Sequence, residues 1–125
     1  MDNFLSGRQV LVVEDEMLVL MMIEDMLADL GCKSVTSAAT VDKALALINA
    51  QVFDVALLDV NLNGNDSHPV AEALSARGVP FVYSTGNAGQ SLRDGYPDRP
   101  VLKKPFKYEE LASILTRLKI APFER

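Results

Sequence analysis

The sequence predicts an α/β fold, (βα)5, in which a doubly wound five-stranded parallel sheet carries a short or frayed fourth helix. Three observations predict it. Short unbroken apolar runs, Val10–Val13 and Val55–Leu58, read as strands buried on both faces. Stretches with apolar residues at three- and four-residue spacing alternate with those runs, as helices do when they cross over a parallel sheet. Several runs also end abruptly in polar residues, on the rim where open α/β sheets place their sites.

The elements follow in order. Val10–Val13 is the first strand and stops at Glu14, Asp15 and Glu16. A helix from about 16 to 30 repeats Val19, Met22, Ile23, Met26, Leu27 and Leu30, and Gly31 supplies its stop. A strand near 33–36 leads to a helix near 39–50 with Val41, Ala44, Leu45 and Ile48 on one side. The third strand, Val55–Leu58, ends in Asp59 and the turn-rich run from Asn61 to Asn65. A helix over 67–76 and the terminator Gly78 precede a strand at 80–84. The stretch 86–100 holds Gly86, Gly89, Gly95, Pro97 and Pro100, which leaves room for a short turn of helix at most. A strand at 100–103 and a helix over 108–119, with Leu111, Ile114, Leu115 and Leu118 on one side, close the chain.

A length of 125 residues suits one domain over 1–125 and is short for two. Seventeen acidic against twelve basic residues leave a net charge of −5, which disfavours attraction to nucleic acid or to an anionic membrane. The apolar runs fall short of the roughly 20 residues needed to span a bilayer. A lone cysteine, Cys32, has no internal disulfide partner, and no basic-then-apolar leader opens the chain. A cytoplasmic location is therefore the expectation, with no nucleic acid and no membrane among the partners.

The fold gathers Glu14, Asp15, Asp59, Thr85 and Lys104, which follow four different strands, at one rim. Carboxylates brought together repel and raise one another's pKa, and a divalent cation relieves this. Oxygen-only ligands favour magnesium or manganese over zinc. Lys104 adds a positive point charge and Thr85 a hydroxyl, so the set can hold a small oxyanion beside a metal. That combination fits phosphoryl transfer to Asp59, with the cation, lysine and hydroxyl stabilising the equatorial oxygens.

Four motifs then bear on family. Val10-Leu11-Val12-Val13-Glu14-Asp15-Glu16, Leu57-Leu58-Asp59-Val60-Asn61-Leu62, Val79-Pro80-Phe81-Val82-Tyr83-Ser84-Thr85-Gly86 and Lys103-Lys104-Pro105-Phe106 occur in the order found in response-regulator receiver domains. The chain resembles that family, with its flavodoxin-like sheet, over almost its whole length. The resemblance implies that Asp59 accepts a phosphoryl group from the phosphohistidine of a sensor histidine kinase, with Mg2+ as cofactor. It implies Asp15 as a direct metal ligand, Glu14 acting through metal-bound water, and Asn61 as a ligand through its backbone carbonyl. Thr85 is the implied phosphate-sensing hydroxyl and Lys104 the phosphate-pairing lysine, followed by a cis bond to Pro105. The domain would then change its binding surface toward a downstream protein or phosphotransfer partner. It would promote its own phosphorylation and dephosphorylation without turning over external substrates.

Two departures from the family pattern carry an implication. Val101 stands where many receivers carry an aromatic switch residue, and the fourth helix is rich in breakers. With Tyr83-Ser84-Thr85-Gly86-Asn87, these resemble the atypical subgroup with a Phe-Ala-Thr-Gly type motif, whose members occur beside kinases of the HWE class. Signalling by ordering of residues 87–99 on phosphorylation is the corresponding expectation.

Other readings are a degenerate receiver that binds a partner without phosphorylation and a small aspartyl phosphatase of the haloacid dehalogenase type. The second needs its nucleophile after the first strand, whereas Asp59 follows the third. His68 is expected at the surface, Cys32 in packing or at the surface, and Arg93, Asp94, Asp98 and Arg99 on a solvated face.

Overall fold

A computed structural model describes residues 5–62, 64–86 and 100–118. Its strands and helices run in the order β1 (Gln9–Val13), α1 (Met17–Asp29), β2 (Ser34–Ala38), α2 (Val41–Ala50), β3 (Val55–Asp59), β4 (Asn61–Leu62), β5 (Asn65–Asp66), α3 (His68–Ala76), β6 (Phe81–Thr85), β7 (Val101–Lys103) and α4 (Tyr108–Arg117). Five strands form one sheet in the order β2-β1-β3-β6-β7, with every neighbouring pair parallel. The fold is the five-stranded receiver-type, flavodoxin-like sheet that the alternating pattern predicts. The expected short fourth helix, the segment proposed to order on phosphorylation and the group Arg93, Asp94, Asp98 and Arg99 all lie outside the described residues.

Strand alternation sorts the core into two layers. Val10 and Val12 of β1, Val55 and Leu57 of β3, and Val82 of β6 pack with Ile23 and Leu27 of α1 and Leu111 and Leu115 of α4. Leu11 and Val13, Ala56 and Leu58, and Phe81 and Tyr83 face the other way, onto Ala44 and Ile48 of α2 and Val70, Ala71 and Leu74 of α3. Side chains that alternate direction along each strand give both faces an apolar lining, so β1, β3 and β6 read as unbroken apolar runs.

Two glycine stops hold as expected. Gly31 (φ 86°) and Gly78 (φ 69°) take the left-handed conformation just past α1 and α3. The Gly31 and Cys32 amides donate back to Ala28 and Leu27, and the Gly78 and Val79 amides to Ser75 and Leu74, which satisfies the last helical carbonyls. Thr40 caps α2 by accepting from the Lys43 amide at 3.1 Å.

The structure corrects two local expectations. The buried side of α1 is Leu20, Ile23 and Leu27, while Met22, expected inside, is 47% exposed. Seven consecutive apolar residues, Met17 to Ile23, carry no unique helical phase, and the docking of α1 on the sheet selects one. The run after Asp59 is also more than a turn: Asn61–Leu62 pairs antiparallel with Asn65–Asp66.

Candidate functional site

The strand order reverses beside β1, which lies between β2 and β3, and the carboxyl ends of β1 and β3 meet there. Register sets the site rung by rung. Val13 pairs with Leu58, so Glu14 and Asp59 stand one step further along neighbouring strands. Asp59 pairs with Ser84 and Thr85 with Lys103, which carries Lys104 just past the end of β7. The Lys104 amide donates to the Thr85 carbonyl at 2.7 Å, and the Lys104–Pro105 peptide is cis.

Side chains from these rungs converge. The Lys104 Nζ donates to Asp59 Oδ2 at 3.0 Å and to Glu14 Oε1 at 3.1 Å, and lies 3.5 Å from Glu16 Oε1. Backbone amides take the other carboxylate oxygens: the Glu16 amide donates to Glu14 Oε2 and the Asn61 amide to Asp59 Oδ1, each at 3.1 Å. Glu14, Asp15 and Asp59 offer oxygens that all lie within 4.8 Å of one another, a spacing that one cation can bridge. The lysine stem passes Gly86, where an added Cβ would meet its Cε at 3.7 Å, ordinary contact.

Burial makes this cluster electrostatically tense. Removal from water raises the Glu14 pKa to about 7, and the Asp59 charge adds to the rise. The Glu16 amide and Lys104 oppose it without cancelling it. Burial alone would lower the Lys104 pKa, but its hydrogen bond and charge attraction to Asp59, reinforced by Glu14, hold it above the ordinary value. The ammonium therefore stays charged and the acids are left short of positive charge. An all-oxygen donor set in that condition suits a hard divalent ion such as Mg2+ better than a thiophilic one.

The structure brings Glu14, Asp15, Asp59 and Lys104 together, with Thr85 buried at the neighbouring strand end. Asn61 sits two residues past Asp59, with its side-chain oxygen accepting from the Gly64 amide at 2.8 Å. Sequence reasoning missed Glu16 as a partner of Lys104. Three acids in a row at a strand end are the available signal, but the third also opens the helical pattern, and nothing in the spacing ties it to Lys104.

Residues read as unconnected with chemistry remain apart from this cluster. His68 stands at the start of α3, half-exposed, with Nε2 3.4 Å from Glu72 Oε2 one helical turn on. Cys32 packs partly buried against the core, and burial raises its thiol pKa away from reactivity. Among the described residues no helix is long and apolar enough to cross a membrane.

Comparison with known proteins agrees with the geometry. Residues 10–116 match the response regulator receiver domain family. The solution structure of SdrG from Sphingomonas melonis Fr1 superposes with a TM-score of 0.78 at 44% identity, covering 93% of this chain and 97% of that one. The receiver domain of sensor histidine kinase PA1611 from Pseudomonas aeruginosa, with a magnesium ion coordinated in its active-site cleft, gives 0.77 at 34% identity, covering 90% and 97%. The sensor protein GacS of Pseudomonas syringae is 29% identical over 90% of this chain, which spans only 14% of that protein's length. The four rim motifs, the parallel sheet that assembles them and the family match over most of the sequence agree: this chain belongs to the response regulator receiver domain family.

Proposed function

We propose that residues 1–125 act as a receiver in two-component signalling, taking a phosphoryl group from the phosphohistidine of a sensor histidine kinase onto Asp59. Receiver domains are phosphoacceptor modules that promote their own phosphorylation and dephosphorylation rather than turn over external substrates. The observation that carries the assignment to Asp59 is its position at the carboxyl end of β3, buried, with Lys104 on one oxygen and the Asn61 amide on the other. An Asp59 oxygen attacks phosphorus, a P–O bond forms as the P–N bond of the donor breaks, and the imidazole leaves with the electron pair. Lys104 pairs with the oxygens of the added group and the Thr85 hydroxyl donates to another.

Magnesium is the proposed cofactor, supported by the oxygen cluster of Glu14, Asp15 and Asp59 and by the magnesium in the PA1611 receiver. When bound it would neutralise the acids and the phosphoryl oxygens. Asp15 and Asp59 would hold it directly, Asn61 through its carbonyl, and Glu14 through water. The chain is further proposed to belong to the atypical subgroup with a Phe-Ala-Thr-Gly type motif and to work with a kinase of the HWE class. Tyr83 to Gly86 and the half-exposed Val101 in place of an aromatic switch support this.

Incubation with acetyl phosphate and Mg2+, followed by intact-mass measurement, tests the reading. A single phosphoryl increment, absent in Asp59→Asn and absent when metal is chelated, is expected. An unchanged increment in Asp59→Asn would overturn the assignment, and no increment on the wild type would favour a partner-binding receiver that is never phosphorylated.

A further inference from the structure

We infer that Glu16 is a positioning residue for Lys104, competing with an incoming oxyanion for one of the lysine's hydrogen-bond donors; this rests on the phosphoacceptor reading above. A lysine ammonium has three N–H donors and no acceptor. Here three carboxylates surround it, Asp59 at 3.0 Å, Glu14 at 3.1 Å and Glu16 at 3.5 Å. An oxyanion approaching Asp59 needs one of those donors, and the carboxylate that holds the lysine most weakly gives its donor up first.

Burial decides which one. The side chains of Asp59 and Glu14 are 6% and 1% exposed and hold the lysine at the two shorter distances, so their pairing with it is the costlier to give up. The Glu16 side chain is 66% exposed and exchanges the lysine for solvent at little cost. Its backbone is nonetheless anchored, because its amide donates to Glu14 Oε2 and its carbonyl accepts from the Leu20 amide at 2.9 Å in the first turn of α1. The Glu16 carboxylate is therefore a tethered and weak competitor. It biases the unmodified site toward a lysine shared among carboxylates and withdraws when a stronger anion arrives.

Beryllofluoride, a stand-in for the phosphoryl group, provides the test at saturating magnesium. Glu16→Gln is expected to bind it about two- to five-fold more tightly than wild type, the factor an exposed ion pair commands. In a Lys104→Ala or Lys104→Met background that gain is expected to vanish. An equal gain without the lysine would mean that Glu16 acts as a plain repelling charge and would overturn the inference, as would no gain at all. The Lys104 side-chain amine resonance, read without any anion, is expected to shift in Glu16→Gln, and its constancy would overturn the pairing whatever beryllofluoride does. Wild type that neither binds beryllofluoride nor accepts phosphoryl counts against the phosphoacceptor reading. Wild type that does both, beside an unaltered Glu16→Gln, removes only the role of Glu16.

Discussion

Two aspartates bracket β3, Asp54 just before it and Asp59 at its last residue, and their surroundings are opposite. Asp54 accepts the Gln9 amide at 2.7 Å and has the Arg8 guanidinium at 3.7 Å, so one acid meets one cation and one backbone donor. At the other end Asp59 shares a single lysine with Glu14 and Glu16 and lies beside Asp15. A carboxylate that only holds strands together is matched where it stands. Asp59, the proposed phosphoacceptor, shares its cation with its neighbours and is left short of positive charge.

That contrast can be broken most directly by exchanging roles. Asp59→Asn is expected to abolish phosphoryl labelling while Asp54→Asn leaves it intact, both read by intact mass after acetyl phosphate treatment. Labelling lost equally in the two variants would erase the distinction. Lys104→Ala comes next in size. It leaves two buried acids without their cation, a loss of at most the roughly 3–5 kcal/mol of a broken buried pair because Glu14 can take up a proton. Its effect on stabilisation by beryllofluoride is expected to exceed its effect on the urea midpoint. Equal stabilisation in mutant and wild type would place the lysine outside the response.

Asp54→Ala is expected to cost about 1–3 kcal/mol, because the Gln9 amide loses its acceptor. Urea unfolding measures it, and the loss should be the same with and without magnesium. A magnesium-dependent loss would tie the two ends of β3 together.

A pH trend is also expected. The folded-state pKa of Glu14 stands at about 7 against 4.5 for an unperturbed carboxyl, so the folded protein binds the extra proton between those values. Stability contributed by this group is therefore full below about pH 4.5, falls as pH rises through the window, and levels off above 7. Denaturation midpoints at pH 5 and pH 8 check the sign. Glu14→Gln should flatten this part of the profile, and saturating Mg2+ should stabilise more at pH 8 than at pH 5.

Legibility in the sequence follows the same contrast. Val10–Val13 and Val55–Leu58 announced buried strands because a parallel sheet demands apolar side chains on both faces, and Gly31 and Gly78 marked helix ends because few other residues accept that backbone conformation. The rim acids were legible because topology alone puts strand ends together. Met22 was misplaced because its helix begins with apolar residues on every side, so only the facing surface could set the phase. The pairing of Asn61–Leu62 with Asn65–Asp66 was hidden because two residues on each strand leave too little pattern to read. Lys104's third partner was hidden because a contact across 88 positions depends on where a flexible side chain lands.

The separation of the core into two layers has an evolutionary consequence. Substitutions that repack α2 and α3 against Leu11, Ala56 and Phe81 act across the sheet from Leu27, Leu111 and Leu115, which belong to the other layer. Distant changes without shared partners combine additively. Each layer can drift at its own pace, and the shared requirement is that β1, β3 and β6 keep their lengths, since a strand longer or shorter by one residue would carry Glu14, Asp59 or Thr85 to the wrong rung and turn its side chain to the opposite face.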